Sequence, residues 1–311
     1  MVIQSLSIVV PTRGCMNKCK FCVSRMRKDN YLNLIGQDDS EQSDFYISEY
    51  AKRLAFARDN GCNTVMLTGQ GEPQQNKDFI YKFSRINNSL DKPFRNIEIQ
   101  TTGAKLTEDD IRAFREFGIC TVSLSISCLN SIDINASIIN DRRMIIDIPG
   151  LCGMIKKHNL NLRLSLNMTD LLFLSNGSPD KDPKIKDIFD FCKRLEADQV
   201  TFRKMFVGNI PLWVNGGSYE QDKWIMEHSL KEGKNGATWF DALNTYVKCR
   251  GKYLDTLEYG NDRYSVDEMS VVIDEDCMAK DNDKKQALKY LILRPNCKLY
   301  SKWDDKGSLI F

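Results

Sequence analysis

The sequence is poor in histidine, with 2 residues among 311, and in proline, with 8. The two histidines, His158 and His228, are far apart in the chain, so they offer little material for a zinc site built on imidazole groups. With few prolines, 42% hydrophobic residues and 28% charged residues, the composition argues against collagen-like and disordered chains. It favours a globular protein with a sizeable core.

Long apolar runs and a strong excess of one charge are also missing. No apolar stretch approaches the roughly 20 residues that cross a bilayer. The run at residues 6–11 is too short for a secretion signal, and Arg13 follows it instead of a small-residue cleavage site. The formal net charge of +2 is smaller than the basic excess usual in proteins that bind duplex nucleic acid. We therefore expect a cytoplasmic protein that makes no membrane contact and for which nucleic acid is not the usual partner.

Cysteine, in contrast, is plentiful. The chain has 11 cysteines, an odd number, and no export signal, which fits a reducing compartment better than a disulfide framework. Eight of them are scattered singly and are typical of small buried apolar residues. The other three lie close together near the start of the chain.

Strand-like and helix-like stretches alternate up to about residue 205. Strands are predicted at residues 6–11, 64–67, 97–101, 121–127, 162–167 and 199–205. Helices are predicted at residues 43–60, from Lys77, from an N-cap at Thr107, up to about His158, and at residues 185–195. This order predicts an α/β fold with parallel strands, a partial (β/α)6 TIM-like barrel whose functional groups lie at the carboxyl ends of the strands. The strand runs are short and mostly apolar, as expected when both faces of a sheet are covered.

The alternation stops after residue 206. Loops are predicted at residues 215–217 and 231–236, a helix at 239–247, strands at 264–273 and 288–293, and a charged link at 280–285. We interpret residues 1–205 as the barrel core and residues 206–311 as a C-terminal capping region that covers the substrate.

The three clustered cysteines follow the first strand and have the spacing C-x3-C-x2-C. Cys15, Cys19 and Cys22 on one tight loop can bind three irons of a [4Fe–4S] cluster and leave the fourth iron with open coordination positions. A structural zinc site usually needs four ligands in two close pairs, and no matching pair is present. Three buried cysteines without a metal are the other alternative, although the neighbouring Lys18 and Lys20 are not typical of a core.

These residues resemble the radical S-adenosylmethionine (radical SAM) enzyme superfamily over about residues 5–205. In the triplet, Phe21 takes the aromatic position before the third cysteine, where relatives use the ring near the adenine. The segment at residues 68–73, Thr-Gly-Gln-Gly-Glu-Pro, is similar to the Gly-Gly-Glu-Pro segment of the family, with Gln70 in place of the first glycine. A strand end with a carboxylate is suited to the α-ammonium group of SAM, because charge-assisted hydrogen bonds are strong.

The resemblance also implies weaker site residues at later strand ends. The implied contacts to SAM are Phe21, Gln70, Gly71, Glu72, Thr101, Thr102, Ser125, Ser127, Asn167 and Arg203. For those from Thr101 onwards, the alternative is a strand-end polar group that is satisfied within the protein. Arg203 is open between a carboxylate clamp and a salt bridge inside the barrel. No catalytic residue is assigned.

The activity implied by the resemblance is reductive cleavage of SAM to methionine and a 5′-deoxyadenosyl radical, which takes hydrogen from a small-metabolite or nucleotide substrate. The implied cofactors are a [4Fe–4S] cluster and SAM, and the implied partner is an electron donor such as flavodoxin or ferredoxin. Alternatives are a glycyl-radical activase, which needs a protein partner, a peptide-modifying enzyme, and a non-catalytic iron–sulfur or zinc protein.

The C-terminal region adds two further hypotheses. Arg294, Lys298, Tyr300 and Trp303 are candidates for contact with an anionic or aromatic substrate, or belong to a solvated hairpin. The remaining cysteines of this region, at positions 249, 277 and 297, lack the close pairs that a second cluster generally needs.

Overall fold

The computed structural model describes residues 2–26, 44–69, 71–140, 145–175, 178–179, 185–207, 219–230, 239–275, 287–303 and 306–311. Several predictions made from the sequence lie outside these residues. They are the loops at 215–217 and 231–236, the link at 280–285, and the site residue Gln70.

Strands and helices alternate along the chain as predicted. The strands are β1 (Val2–Val10), β2 (Thr64–Gly69), β3 (Asn96–Thr101), β4 (Thr121–Ile126), β5 (Asn161–Met168), β6 (Leu174–Ser175), β7 (Ser178–Pro179), β8 (Gln199–Lys204), β9 (Lys252–Thr256), β10 (Asp262–Val266), β11 (Met269–Asp274), β12 (Ala287–Leu293) and β13 (Leu299–Tyr300). The six strands predicted in the first 205 residues correspond to β1 to β5 and β8, and all six are confirmed.

The α-helices cover the sheet between these strands. They are α1 (Val23–Met26), α2 (Asp44–Asp59), α3 (Lys77–Asn88), α4 (Glu108–Glu116), α5 (Ile132–Asn140), α6 (Ile148–Lys157), α7 (Ile185–Arg194), α8 (Tyr219–His228) and α9 (Trp239–Arg250). The predicted cap of α4 is confirmed, because the Thr107 side chain accepts from the Asp110 amide while the Asp110 carboxylate accepts from Thr107 N–H. Local chemistry therefore sets where this helix begins.

Eight of the strands run parallel in one sheet. Their order is β12, β1, β2, β3, β4, β5, β8 and β11, with antiparallel β13 beyond β12 and antiparallel β10 and β9 beyond β11. The sheet is open, since β12 and β11 do not pair with each other in the described part of the chain. The fold is thus an α/β fold with an open parallel sheet, similar to TIM-like barrels. Residues after 206 supply a parallel strand at each edge of the six-stranded core.

A buried ion pair connects the two edges of this open sheet. Lys289 on β12 and Asp274 on β11 are joined by a contact of 2.6 Å between Nζ and Oδ1, and both side chains are less than a tenth exposed. The ring of Tyr259 lies 5.4 Å from the same ammonium group. Side chains therefore span the gap that backbone hydrogen bonds leave open.

The two faces of the sheet differ in polarity. On β4, Val122, Leu124 and Ile126 pack into the main hydrophobic core with the helices, while Ser123 and Ser125 lie on the other face. The same alternation gives polar inner positions on the neighbouring strands. The structure thus differs from the expectation of strands that are apolar on both faces, and the lumen of the barrel is polar.

One strand prediction in the C-terminal region is wrong. Residues 264–273, predicted as one strand, form the antiparallel pair β10 and β11. The turn between them places Asp267 and Glu268 at positive φ, 48° and 69°, a conformation usually marked by Asn or Gly in the sequence. The predicted strand at 288–293 and helix at 239–247 are confirmed as β12 and α9.

Candidate active site

The carboxyl ends of the parallel strands surround a cavity of about 270 Å³. Most of the predicted site residues line it: Cys15, Cys19, Phe21, Cys22, Gly71, Glu72, Thr101, Thr102, Ser125, Asn167 and Arg203. Ser127 does not line the cavity; its hydroxyl accepts a hydrogen bond from Asn167 Nδ2 at 2.9 Å. Fold topology therefore brings together residues that are up to about 190 positions apart.

The three cysteines of the loop after β1 have free thiols. Burial raises the pKa of the Cys19 thiol well above its ordinary value, and repulsion from Cys22, Glu72 and Cys15 raises it further. Desolvation also raises the pKa of Cys15, although part of that residue is exposed, and a hydrogen bond from the Asn17 amide opposes the effect. Ionisation of these thiols beside a buried carboxylate needs a positively charged group in the same place.

The donor set fits an iron–sulfur cluster. Within the described ranges, no three His, Cys, Asp or Glu side chains are arranged to share one metal ion. In a cluster, each thiolate binds a different iron, so the three sulfur atoms need not converge on one point. The irons also supply the positive charge that thiolates at these positions require.

Glu72 is the centre of a buried hydrogen-bond network. This residue is only 5% exposed. One carboxylate oxygen accepts from Asn17 Nδ2 at 2.7 Å and Thr102 Oγ1 at 2.8 Å, and the other accepts from Gln74 Nε2 at 3.1 Å and from Thr101 Oγ1. All these donors are neutral, so they fix the position of the carboxylate and leave its charge in place.

Asn17 ties the cysteine loop to this network. It lies between the first two cysteines and is buried, and its amide donates to Glu72 and, at 2.9 Å, to Thr102 Oγ1. Sequence reasoning did not identify Asn17, because its partners are 55 and 85 residues away. Its position inside the C-x3-C spacing carries no signal of those contacts.

Two further residues hold the loop from other sides. Gln75 Oε1 accepts from Met16 N at 3.1 Å, and Gln75 Nε2 donates to Gly14 O at 3.0 Å. Asn140, at the end of α5, donates to Met16 O at 2.6 Å. Gln75 stands three positions after Glu72, the spacing of a capping box, and this signal was available in the sequence.

Gly71 allows the second strand to approach the loop closely. A Cβ at this position would lie 2.4 Å from Thr12 Oγ1 and 2.9 Å from the carbonyl oxygen of Gly14. The backbone of Gly14 cannot move without shifting the cysteine loop. The glycine of the predicted segment is thus required by packing as well as by the family pattern.

Polar side chains continue from the strand ends into the lumen. Asn167 Nδ2 also donates to Ser125 Oγ at 2.9 Å, which links β5 to β4. Deeper, Ser7, Ser123 and Ser165 line the cavity, and the buried hydroxyl oxygen of Ser7 has no hydrogen-bond partner among the described residues. Small hydroxyl side chains at these positions leave space where a complete barrel usually carries bulky aliphatic groups.

The C-terminal region contributes aromatic groups to the cavity. Phe206, Tyr290 and Trp303 line it, and of these only Trp303 was proposed from the sequence. Arg294, Lys298 and Tyr300 do not line it. Arg294 is instead buried, donates to the carbonyl oxygen of Trp303, and lies over the Tyr300 ring at 5.0 Å, so it holds the end of the chain in place.

The cysteines of the C-terminal region do not come together in the described residues. Cys249 is exposed at the end of α9, and Cys297 is buried in the main core. Burial raises the pKa of Cys297 to about 11. Cys277 lies outside the described residues.

Residues 9–148, just under half of the chain, match the family model of the radical SAM superfamily. These residues are similar to a radical SAM domain. The members of this superfamily are enzymes that typically use a [4Fe–4S] cluster and SAM. None of the curated protein sequences matches the chain significantly.

Solved structures support the fold assignment. A structure of SuiB from Streptococcus suis bound to S-adenosylmethionine matches 96% of this chain and 58% of that chain, with a TM-score of 0.50 and 13% identity. A structure of anSMEcpe with bound AdoMet and Kp18Cys peptide matches 96% of this chain and 74% of that one, also with a TM-score of 0.50 and 13% identity. Another anSMEcpe structure with AdoMet matches 72% of this chain and 59% of that chain at 15% identity, with a TM-score of 0.48. The chain thus spans under three fifths of the SuiB chain and of the anSMEcpe chain matched with a TM-score of 0.48, and identities this low show a shared fold only.

Helices long and apolar enough to cross a membrane are not found in the part of the chain that the structure describes.

Proposed function

We propose that the chain is a radical SAM enzyme that cleaves SAM reductively and abstracts hydrogen from a small-metabolite or nucleotide substrate. The observation that carries the proposal is the convergence of Cys15, Cys19, Cys22 and the Glu72 network on one cavity at the strand ends. When bound, the cluster and SAM supply one-electron reduction of a sulfonium and a 5′-deoxyadenosyl radical.

The residues of this chain have distinct tasks in the proposed mechanism. The three cysteines hold the cluster, and Asn17 and Gln75 keep their loop in place against the strand ends. Gly71 and Glu72 line the cavity beside the loop, where a fixed negative charge suits the α-ammonium group of SAM. The remaining predicted contacts, from Thr101 to Arg203, we propose as the wall on which the rest of SAM lies.

The lumen favours a small polar substrate. Its inner wall carries the hydroxyl groups of Ser7, Ser123 and Ser165, and Arg203 is the one cation among the described residues that line it. On β5, two residues before Ser165, Arg163 pairs with Glu98 and donates to Gln199 Oε1. An anionic metabolite or a nucleotide matches the arginine, the hydroxyl groups and the aromatic rings of Tyr290 and Trp303.

A peptide substrate is the main alternative, because one of the matching folds was solved with a peptide bound. A metabolite and a peptide differ in how much of the substrate must enter the cavity. A metabolite should increase 5′-deoxyadenosine formation when added alone from a low-molecular-mass extract. A peptide substrate should require the fraction that contains peptides.

We also propose that residues 206–311 cover the active site of the core formed by residues 1–205. Phe206, Tyr290 and Trp303 in the cavity support this task, although β11 and β12 also extend the sheet of the core. A protein or small electron donor is required by the chemistry. A cytoplasmic location remains our proposal from the cysteine content.

Replacing Cys19 tests the proposed function directly. After anaerobic reconstitution with iron and sulfide, Cys19→Ala should lack the visible sulfur-to-iron absorbance and, with dithionite and SAM, should form no 5′-deoxyadenosine above background. Cys192→Ala is the matched control, because Cys192 is fully buried on α7 away from the cavity and its loss should affect stability only. A folded Cys19→Ala protein that stays brown, or a loaded unmodified protein that cleaves no SAM, would contradict the proposal.

A further inference from the structure

A second groove is lined by residues of the cysteine loop other than those that line the cavity. Lys18, Lys20 and Arg25 from the loop and α1 form one wall, and Lys223 and Trp224 from α8 form the other. We call these five residues the basic groove. None of them lines the cavity at the strand ends, so a molecule in the basic groove does not compete with SAM or substrate.

The basic groove is close to the cysteines that would hold the cluster. Lys18 and Lys20 are the sequence neighbours of Cys19, and consecutive Cα atoms are only about 3.8 Å apart. The Arg25 amide donates to the Cys22 carbonyl oxygen at 3.0 Å, so Arg25 lies one turn from the third cysteine. A redox centre bound at this groove would thus be separated from the proposed cluster by the cysteine loop itself.

Positive charge is in excess along the groove. Glu220 and Glu227 also line it, so four cations face two carboxylates, an excess equal to the formal net charge of the whole chain. Glu227 approaches Lys223 at 3.9 Å, but both side chains are more than half exposed. An exposed pair of this kind is weak, so it leaves both groups accessible to a partner.

Two other side chains give the groove the character of an interface. Gln221 is 5% exposed, lines the groove, and its Oε1 has no hydrogen-bond partner among the described residues, so it can accept from a group on a partner. The Trp224 ring packs on Phe21 with 6.1 Å between centroids, and Phe21 lines the cavity. Aromatic and arginine side chains are enriched at protein interfaces.

We propose that the basic groove is the docking site of a small acidic electron-carrier protein that reduces the cluster. This inference rests on the proposed function. In the step, the carrier in its reduced form loses one electron and the cluster gains it, and no bond or proton is transferred. Opposite charges across the interface would speed the encounter and orient the redox centre of the carrier towards the cysteine loop.

Charge reversal in the groove tests the proposal with flavodoxin as the probe. The groove variant is Lys18→Glu with Lys223→Glu, and the control is Lys92→Glu with Arg112→Glu, which makes the same change in charge at two exposed side chains on other elements. Binding of flavodoxin to the reconstituted protein is measured by calorimetry, and cluster reduction is followed by the bleaching of its absorbance. We expect the groove variant to bind flavodoxin at least about 10-fold more weakly and to be reduced by it at least about 10-fold more slowly than the unmodified protein. Both effects should also depend less on salt in the groove variant.

Dithionite separates a failure of the proposed docking site from a failure of the proposed function, because this small reductant needs no docking surface. Reduction and SAM cleavage with dithionite should be equal in the unmodified, groove and control proteins. If the groove variant binds flavodoxin as well as the unmodified protein does, or if the control loses as much binding, the docking site is not here. If dithionite drives no SAM cleavage in any of the proteins, the proposed function fails, while the binding measurement still decides the groove. Lys223→Glu alone, on α8, repeats the test without a change in the cysteine loop.

Discussion

At the scale of single residues, Asn17 decides where the cysteine loop sits. Its one amide group donates both to Glu72 and to Thr102, and these partners come from two different strand ends. A buried amide with such contacts fixes the loop to the sheet before any cofactor is present. We expect the loop to be largely preorganised for this reason.

Asn17→Ala should lower both stability and iron content. Loss of the donor leaves Glu72 less satisfied in a buried site, which typically costs about 1–3 kcal/mol. Asn17→Asp should be worse, because a second carboxylate would face Glu72 at the present contact of 2.7 Å. Urea unfolding and the iron bound per chain after reconstitution measure the two effects.

Asn87→Ala is the control for this prediction. Asn87 is equally buried, and its side chain makes two hydrogen bonds with the backbone of Phe94, far from the cysteine loop. This variant should lose comparable stability and keep its iron. Normal iron content in folded Asn17→Asp would show that the contact does not position the loop.

The sequence identified the residues that bear the chemistry better than those that hold them. The three cysteines and Glu72 were found because a short spacing and a turn segment are local signals. Asn17 and Asn140 act through hydrogen bonds to groups distant in sequence, for which no local pattern exists. Thr101 and Thr102, predicted to contact SAM, are also the residues that hold Glu72.

At the scale of elements, charged side chains join the start of α4 to the end of α6. Glu108 in the first turn of α4 accepts from Lys157 Nζ at 2.7 Å and is 2.9 Å from His158 Nε2, both at the end of α6. These hydrogen bonds lower the pKa of Glu108 to about 2, from an ordinary value of 4.5. The contact therefore stabilises the fold at pH values above 4.5, and this contribution disappears as the pH falls towards 2.

Glu108→Gln should consequently be less stable than the unmodified protein near pH 7, with a difference that shrinks in acid. Because the carboxylate is exposed, the effect should be small and should diminish further in high salt. Denaturant unfolding at pH 7, 5 and 3.5 provides the measurement. Glu116→Gln, an exposed change on the same helix, should show little pH dependence; a similar trend in both variants would refute the role of Glu108.

Periodicity predicted the elements of the first 205 residues well, since alternating apolar positions and caps such as Thr107 are local. It failed at β10 and β11, where the turn residues Asp267 and Glu268 adopt positive φ without a glycine. It also missed helix α8, whose Trp224 contacts Phe21. That contact depends on tertiary packing and not on the pattern of α8 itself.

At the scale of the whole molecule, the open sheet depends on Lys289 and Asp274. Lys289→Met leaves an unpaired carboxylate in a buried position, which typically costs about 3–5 kcal/mol. The double variant Lys289→Met with Asp274→Leu should regain most of this loss, because it buries no isolated charge. Urea unfolding measures the free energy of unfolding of the unmodified protein and of the single and double variants, as a double-mutant cycle requires.

A more exposed ion pair provides the comparison. Lys156 contacts both oxygens of Asp198, but these side chains are about one third exposed. Lys156→Met should therefore cost less than Lys289→Met. Equal losses, or a double variant as unstable as the single one, would mean that the Lys289 pair does not connect the sheet edges as we infer.

The fold class was predictable at this scale, because six alternating units imply a parallel sheet. The contribution of the C-terminal region to both sheet edges was not. Pairing of β1 with β12 joins residues such as Val2 and Ala287, and no local property of either strand specifies that choice.

This pairing has a consequence for biosynthesis. During synthesis β1 finds one of its two neighbours, β2, early, but its other neighbour, β12, is translated only after all the other parallel strands of the sheet. Until then, one side of β1 offers its backbone groups to any passing chain. The nascent polypeptide should therefore benefit from chaperone protection until β12 has been made, and termination before β12 should yield aggregates instead of a smaller folded protein.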